Sequence, residues 1–455
     1  MSHGSSQSSM SAPRAGAAVS LLPTYLADAR AIQKYSPSTP NGALQLSVAE
    51  NQMLEDLLVP SLTEFSSYHH GSFPADAIYY QPTHGRESLR QAVAAYLNNL
   101  LELEQELDPD GLVIGAGCNA VLENLCISLA EPGQGVMIPL PYYAAFDFDL
   151  GSRAGLKVVP VPTMEHSGAA PPKSSSTVPV EAYYPTRAAL DAAKEKSVKE
   201  QAIEPRILLL SHPQNPLGIC YPPHVIQECI DWCRDNKVHL VSDEIYAGSV
   251  YRKEEANFKS ALKLARTPYG LGPYIHFVYA LSKDFALSGL RVGFLYSENL
   301  EIRLPLQKLN DLCCVSSHTQ LMVERMLTEK TSSDEDAAFW TDGFLESNHM
   351  RLQKRGDKWQ QCMKELSIPH LSATAGLFCW MDLSEFLPAE GTPDEQERAL
   401  YLELLRDYGL LFTPGRSMHN ELPGFFRCVF TAASDQEFHL GLERLRRFVT
   451  KKRTA

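Results

Sequence analysis

The chain has 455 residues, of which 44% are hydrophobic and 21% are charged, a composition typical of a soluble globular protein. This length exceeds what one compact core usually accommodates, so we expect two or more domains. The formal net charge of -13 argues against a nucleic-acid or anionic-membrane partner, because such partners require an extended basic surface. No apolar run reaches the roughly 18 residues that a membrane-spanning helix needs.

The N-terminal segment and the cysteines allow further exclusions. Residues 1–20 contain one arginine and no apolar core, and therefore predict a disordered tail rather than a signal peptide. The ten cysteines show no zinc-binding spacing, so we expect no metal site. Their ordinary frequency favours reduced core residues and a cytoplasmic protein.

Helical and strand patterns alternate along most of the chain. Residues 43–62 predict a short strand or turn followed by an amphipathic helix, and residues 85–101 predict a helix. Apolar strands and loops then follow in "GLVIGAGCN", "GVMIPLPYYAAF", "GLKVVPVP", "RILLLSHPQNP", "VHLVSDEIYAG" and "IHFVYALSKDF". This alternation predicts an α/β fold with a mostly parallel sheet covered on both faces. In such sheets, ligands bind at the carboxyl ends of the strands.

Two interruptions indicate how the chain is divided. Residues 164–186 are rich in Pro, Ser and Ala and predict an exposed loop. Residues 328–340 break the alternation, and the strands "GLFCWMDL" and "FFRCVFT" then mix with helices. We therefore predict a tail at 1–20, an N-terminal arm at 21–65, a large α/β domain at 66–325 and a smaller α+β domain at 326–455.

Lys283 is the one ammonium in the apolar stretch "ALSKDFALSGL". A lysine in such a place is usually a surface residue whose stem is buried and whose head reaches water. The alternative is a lysine in a dry pocket, where burial lowers the pKa and makes the neutral amine available for imine chemistry.

Other polar side chains fall at the ends of the same predicted strands. They are Cys118 and Asn119 in a Gly-rich turn, Tyr143, Asn215, Asp243, Tyr246, Ser282 and Arg291. Taken singly, Asp243 is more often a capping residue, Asn215 a turn residue and Tyr143 a core residue. Together they supply what a pyridoxal phosphate pocket requires: an amine, a carboxylate for the ring nitrogen, an aromatic face and an anion site.

Seven motifs make the chain resemble a known family. "VAENQ", "PYYAAFDFDL", "HPQNPLG", "SDEIYAGSVY", "LSKD…SGLRVGF", "AGLFCWMDL" and "PGFFRCVF" occur in the order of the fold-type I pyridoxal phosphate enzymes. The match covers nearly the whole chain from residue 40 and is most similar to the 1-aminocyclopropane-1-carboxylate synthase branch of the class I/II aminotransferase superfamily. The resemblance implies a pyridoxal phosphate transferase fold with a seven-stranded sheet in the large domain.

The resemblance also implies a role for each matching residue. Lys283 would hold the cofactor covalently and move the Cα proton, Asp243 would pair with the ring nitrogen, and Tyr246 and Asn215 would donate to the ring oxygen. Tyr143 would stack on the ring, and the backbone of Cys118 and Asn119 would bind the phosphate with Ser282 and Arg291. Arg427 would hold the substrate carboxylate in a bidentate pair, and Glu50 would lie near the substrate. For Arg427, a structural salt bridge remains the alternative.

Two positions depart from the family pattern. The serine that members commonly carry three residues before the lysine is Ala280, and the synthase tyrosine two residues before Gly85 is Thr83. Tyr80 instead fits the spacing of aminotransferases, in which this tyrosine reaches the partner subunit's site. The resemblance therefore implies a homodimer with shared active sites.

These departures favour a lyase among the functions that the resemblance allows. The synthase-like branch includes fungal relatives that cleave carbon–sulfur bonds of cysteine conjugates in secondary metabolism, and such a lyase fits a chain that lacks the synthase tyrosine. An aminotransferase is the second hypothesis, and a synthase that acts on S-adenosylmethionine is the third. A cofactor-binding regulator on the same fold is less consistent with the chain, which lacks the basic charge of a DNA-binding domain and retains Lys283 and Asp243.

Overall fold

The computed structural model describes residues 17–18, 20–67, 74–166, 178–332 and 337–454. The predicted tail therefore lies almost entirely outside the described residues. Residues 167–177 of the predicted exposed loop lie outside them as well.

The strands confirm the predicted alternation. They are β1 (Leu44–Gln45), β2 (Leu112–Gly115), β3 (Gly135–Pro139), β4 (Lys157–Val161), β5 (Pro205–Ser211), β6 (His239–Asp243), β7 (Ile275–Ala280), β8 (Gly293–Ser297), β9 (Phe378–Asp382), β10 (Leu410–Leu411), β11 (Thr413–Pro414) and β12 (Phe425–Val429).

The helices lie between these strands and at both ends of the described chain. They are α1 (Tyr25–Ala31), α2 (Glu55–Phe65), α3 (Glu87–Leu100), α4 (Cys118–Leu129), α5 (Phe146–Gly151), α6 (Arg187–Gln201), α7 (Pro223–Asn236), α8 (Lys253–Ala256), α9 (Ala261–Ala265), α10 (Leu281–Asp284), α11 (Leu300–Leu309), α12 (Ser317–Thr328), α13 (Trp340–Glu365), α14 (Pro393–Asp407) and α15 (Asp435–Thr454).

Seven strands form one sheet in the order β2-β8-β7-β6-β5-β3-β4. All neighbouring pairs are parallel except those of β8, which runs antiparallel to both β2 and β7. The mostly parallel seven-stranded sheet of fold type I is therefore confirmed. Its central strands end side by side, so the loops that follow β5, β6 and β7 meet at one edge.

Both faces of this sheet are buried, because successive side chains of a strand point to opposite faces. In β5, Ile207 and Leu209 pack in one hydrophobic cluster, whereas Leu208 and Leu210 pack in a second cluster on the other face. Helices on each face cover these clusters, which explains why the strands are continuous apolar runs rather than alternating ones.

A second, antiparallel sheet has the strand order β11-β12-β9. The short strand β1 of the N-terminal arm pairs in parallel with β10, which joins the start of the described chain to its C-terminal part. Helix α12 continues to Thr328, three residues beyond the predicted boundary at 325/326. The division into a large and a small domain stays a prediction.

Two findings concern the described residues as a whole. None of their helices is long and apolar enough to cross a membrane, and no group of three or more His, Cys, Asp or Glu side chains is placed to hold a metal ion. All ten cysteines lie within the described ranges as free thiols, and eight of them are buried.

Candidate active site

A cavity of about 250 Å³ lies at the edge where the sheet loops meet. Ten of the twelve residues singled out from the sequence line it, namely Cys118, Asn119, Tyr143, Asn215, Asp243, Tyr246, Ser282, Lys283, Arg291 and Arg427. The side chains come from seven separate segments of the chain, and the parallel sheet brings most of them together.

Lys283 lies in this cavity rather than at the outer surface. It occupies the short helix α10, which follows β7 directly, and its Nζ donates a hydrogen bond of 2.7 Å to the Ala49 carbonyl oxygen. Burial, together with the nearby Arg427 guanidinium, lowers the pKa of Lys283 to about 8. At pH 7 about a tenth of the amine is then neutral, a far larger fraction than in an ordinary lysine.

Asp243 ends β6 with a buried carboxylate. One of its oxygens accepts a hydrogen bond of 3.3 Å from the Ile245 N–H, and the Cys118 Sγ lies 3.9 Å from the same oxygen. Burial raises the pKa of Asp243 to about 7. Within the described residues no lysine, arginine or histidine nitrogen lies within 4 Å of this carboxylate, so its charge is left for a cationic ligand atom.

The start of α4 and the side chain of Arg291 lie close together and could hold an anion. Gly117 precedes the helix with φ of 89°, and a Cβ there would collide with the Arg291 guanidinium. Arg291 is held from the other side by a hydrogen bond of 3.0 Å from its Nη1 to the Ser288 carbonyl oxygen. The first N–H groups of a helix have no partner within the helix, so this end favours a phosphate.

The two phenols and the amide lie between these groups. The ring of Tyr246 packs edge-on against Phe378, with centroids 5.2 Å apart, and Tyr143 packs edge-on against Phe146 at 5.4 Å. Burial raises the pKa of both phenols, which therefore remain protonated and able to donate. Asn215 follows β5 and accepts from Arg427 through its Oδ1.

Arg427 is buried, with 2% of its surface exposed, and it has no carboxylate partner among the described residues. Its Nη1 donates to Asn215 Oδ1 at 2.8 Å, and its Nη2 donates to the Ser47 carbonyl oxygen at 2.7 Å and to Thr413 Oγ1 at 3.2 Å. The Nε atom is buried without a partner. A guanidinium in this state is costly unless an anion binds it, so the contacts argue against a structural salt bridge.

Residues 47–50, here called the strap, contact both cations through backbone oxygens. The carbonyl oxygens of Ser47 and Ala49 accept from Arg427 and Lys283, and the Glu50 carbonyl oxygen accepts from Thr431 Oγ1 at 2.6 Å. The Glu50 side chain is exposed and does not line the cavity. Sequence reasoning missed Ser47 and Ala49 because their contribution is a main-chain oxygen, which leaves no side-chain signal.

Tyr80 does not line the cavity of its own chain. Its side chain is fully exposed, with a relative accessibility of 103%. Thr83 also lies away from the cavity, and its hydroxyl bonds to the carboxylate of Asp311. Ala280 is completely buried within β7, and the lining includes the hydroxyl-bearing residues Ser282 and Ser288 from the same stretch of the chain as Lys283.

The lining also contains residues that the sequence did not indicate. Pro23, Tyr25 and Leu26 reach it from the N-terminal arm, and Asp149 and Met418 reach it from α5 and from the turn after β11. Burial raises the pKa of Asp149 to about 6, and its carboxylate accepts a hydrogen bond of 2.7 Å from Asn119. Apolar residues of an arm look like ordinary packing in a sequence, so no pattern marked them.

The polar groups that line the cavity fit pyridoxal 5′-phosphate. The fit rests on three groups that the described protein leaves without an ion-pair partner: an amine of lowered pKa at Lys283, a buried carboxylate at Asp243 and the Arg291 guanidinium beside the start of α4. These are the groups that bind the aldehyde, the ring nitrogen and the phosphate of this cofactor.

Known proteins are similar to this chain over most of its length. The family model for aminotransferase class I and II matches residues 44–445. The chain is 34% identical over 423 residues to 1-aminocyclopropane-1-carboxylate synthase 7 of Arabidopsis thaliana, covering 91% of this chain and 88% of the relative. It is 32% identical over 415 residues to 1-aminocyclopropane-1-carboxylate synthase 11 of the same plant, covering 90% and 84%.

Solved structures show the same fold at lower sequence identity. An aspartate aminotransferase from Thermotoga maritima has a TM-score of 0.71 and 17% identity, covering 97% of this chain and all of that one. A single mutant of the Thermus thermophilus aspartate aminotransferase has a TM-score of 0.70 and 20% identity, covering 96% and 97%. The family model and the synthase relatives show that this chain belongs to the class I and II aminotransferase family, whose members use pyridoxal phosphate.

Proposed function

We propose that this protein is a carbon–sulfur lyase that acts on an S-substituted cysteine or a related α-amino acid. The observation that carries the substrate class is Arg427, a buried guanidinium without a carboxylate partner that opens on the same cavity as Lys283. A substrate carboxylate would complete its hydrogen bonds, and the guanidinium fork suits a bidentate pair. The α-amino acid would then lie with its Cα near the Lys283 amine.

Different residues of the cavity would then have different roles in the removal of the Cα proton. The bound cofactor supplies a conjugated ring that accepts the electron pair left at Cα. Lys283 Nζ, with a pKa of about 8, takes the Cα proton near neutral pH. Asp243 would hold a proton on the ring nitrogen of the cofactor, and Tyr246 and Asn215 would bind its ring oxygen.

Elimination follows when the Cβ–S bond breaks and the thiolate leaves with the bonding electrons. The three-carbon product then takes up water to give pyruvate and ammonia. Thr83 supports elimination over ring closure, because it supplies no phenol where the synthases carry a tyrosine, and its hydroxyl is bonded to Asp311.

The test of this proposal is product analysis with the purified holoenzyme. S-benzylcysteine is expected to release thiol, ammonia and pyruvate in equal amounts, and Lys283→Ala should abolish all three. Borohydride reduction should fix the cofactor on the peptide that contains Lys283 and on no other lysine. Absence of thiol from every cysteine conjugate tried would contradict the lyase.

The same experiment decides between the alternatives. An aminotransferase, the second candidate, is favoured by the spacing of Tyr80 and would convert a 2-oxo acid to an amino acid without release of ammonia. A synthase is favoured by the relatives at 32 to 34% identity and would release methylthioadenosine from S-adenosylmethionine.

A further inference from the structure

The N-terminal arm forms one wall of the active-site cavity. Pro23, Tyr25 and Leu26 line the same cavity as Lys283 and Arg427. Tyr25 is 8% exposed and belongs to the hydrophobic cluster on this side of the sheet, and Leu26 packs against that cluster with part of its side chain free.

Contacts on two sides hold this wall in place. On one side, Asp28 of α1 forms an ion pair with Arg398 of α14, and the Tyr401 hydroxyl donates to the Tyr25 carbonyl oxygen at 3.4 Å. On the other side, Leu21 packs on Gly151 at the end of α5, where an added Cβ would lie 2.9 Å from the leucine Cδ1. The arm therefore crosses the cavity between two fixed points.

Other apolar side chains line the same cavity. Val48 of the strap, Phe146 of α5 and Met418 line the cavity together with the arm residues Tyr25 and Leu26. An apolar surface of this kind gains free energy by covering an apolar ligand group and loses it by desolvating a charged one.

Within the described lining of one chain, no further cation is available for a second substrate carboxylate. The cations of the described lining are Lys283, Arg291 and Arg427, and each serves the cofactor or the α-carboxylate. Asp149 is the carboxylate that lines the cavity besides Asp243. A side-chain carboxylate would thus meet apolar groups and a like charge, with no cation to bind it.

We propose that the wall of Tyr25 and Leu26, completed by Val48, Phe146 and Met418, is the side-chain subsite of this enzyme and selects uncharged apolar side chains against acidic ones. The inference rests on the proposed binding of an α-amino acid through Arg427. It names the substrate class as α-amino acids with an alkyl, aryl or thioether side chain.

The experiment measures binding of α-methyl amino acids to the holoenzyme by calorimetry and by the absorption of the cofactor. These compounds have no Cα proton, so their affinities do not depend on which reaction the enzyme catalyses. α-Methylphenylalanine is expected to bind at least about tenfold more tightly than α-methylaspartate, a difference of about 1.4 kcal/mol. Equal or tighter binding of α-methylaspartate would overturn the proposal.

Variants of Leu26 test whether the wall causes the preference for apolar side chains. Leu26→Ala should weaken α-methylphenylalanine at least threefold and leave α-methylalanine, which cannot reach the wall, unchanged. Leu26→Lys should raise the affinity for α-methylaspartate, and its control is Ala27→Lys, which places the same charge on an exposed position of the same helix. An equal loss for both compounds in Leu26→Ala, or the same gain in both lysine variants, would contradict a side-chain subsite.

The binding experiment and the thiol-release assay of the proposed function can fail independently of each other. If thiol release fails while the binding preference and its dependence on Leu26 hold, the subsite stands and the lyase is wrong. If thiol is released but the α-methyl compounds bind without preference, the lyase stands and the subsite is wrong.

Discussion

Two buried cations, Lys283 and Arg427, share one cavity, and each makes the other's charge more costly. Lys283 is the member of the pair whose pKa is lowered. Its pKa falls to about 8, with burial as the larger cause and Arg427 as the second. The cavity thus combines a guanidinium with an amine of lowered pKa, and the following predictions test the role of each.

The lowered pKa predicts the pH dependence of cofactor attachment. The neutral amine is the reactive form, so its fraction rises as the pH rises through about 8. When the apoenzyme is mixed with excess pyridoxal phosphate, the initial rate of covalent attachment should rise about tenfold from pH 7 to 9 and then level off. An ordinary lysine would instead keep gaining about tenfold per pH unit to beyond pH 10. Stopped-flow absorbance distinguishes the two, and a rate still rising steeply above pH 9 would contradict the lowered pKa.

Arg427→Lys tests whether the guanidinium binds substrate. The variant should keep the cofactor spectrum and lose about 2–4 kcal/mol in kcat/KM, because an ammonium cannot reproduce a bidentate pair. The KM should rise for every α-amino acid tried, since all share the carboxylate. Loss of the cofactor or unfolding of the variant would show that the arginine is structural, and an effect on a single substrate would show that it reads the side chain.

The sequence indicated some residues of the candidate site but not others. Lys283, Asp243 and Arg427 were marked by a charge in an apolar strand or at its end, because burial of a charge is rare without a purpose. Ser47 and Ala49 were not marked, because carbonyl oxygens are common to all residues. Their positions depend on the path of the strap in three dimensions.

At the scale of elements, the turn from β2 into α4 determines how closely Arg291 approaches the anion site. Gly117 combines φ of 89° with a position where any Cβ would collide with the arginine. Gly133 has nearly the same φ, 90°, but no atom lies within 4 Å of the place where its Cβ would be. Alanine variants of the two glycines therefore separate the effect of backbone strain from the effect of a collision with Arg291.

Gly117→Ala is expected to weaken pyridoxal phosphate binding at least tenfold, because the methyl group displaces Arg291 from the helix start. The positive φ itself costs an alanine about 1–3 kcal/mol, and Gly133→Ala should suffer only this loss of stability. Titration of the apoenzymes gives the cofactor affinities, and thermal unfolding gives the stabilities. Equal cofactor affinity in the two variants would show that the turn does not shape the phosphate site.

The sequence predicted which elements exist better than how they pair. Continuous apolar runs such as β5 are typical of strands buried on both faces, and the structure confirms them. The direction of β8 was not predictable, because a parallel and an antiparallel neighbour bury the same side chains. The role of α1 was also missed, since a short apolar helix carries no signal that it covers a cavity.

At the scale of the whole molecule, an exposed apolar face indicates self-association. Ile78, Tyr79 and Tyr80 are 67%, 69% and 103% exposed, and Leu312 is 83% exposed. The segments that bear them are joined, because Thr83 accepts through its carbonyl oxygen from Asn310 Nδ2. Exposed apolar groups this large on adjacent segments are typical of an interface, and members of the family generally function as dimers.

We expect the protein to be a homodimer through this face. The double variant Tyr79→Arg/Leu312→Glu should shift it toward a monomer in sedimentation experiments, because charges would be desolvated without partners in the interface. Tyr269→Arg is the control, since Tyr269 is also exposed, at 97%, on a turn of a different part of the chain. A wild-type monomer, or dissociation by the control as well, would contradict this interface.

The last prediction places Tyr80 in the partner's active site. If the tyrosine acts across the interface, a heterodimer of a Lys283→Ala chain and a Tyr80→Phe chain contains one site with both the lysine and the tyrosine. Random mixing of inactive homodimers should then restore about a quarter of the wild-type activity, since half of the dimers are mixed and half of their sites are intact. Lys283→Ala mixed with Arg427→Lys is the control and should restore nothing, because both residues line the cavity of one chain and no complete site can form. Recovery in the control, or none in the Tyr80 mixture, would place Tyr80 outside the shared site.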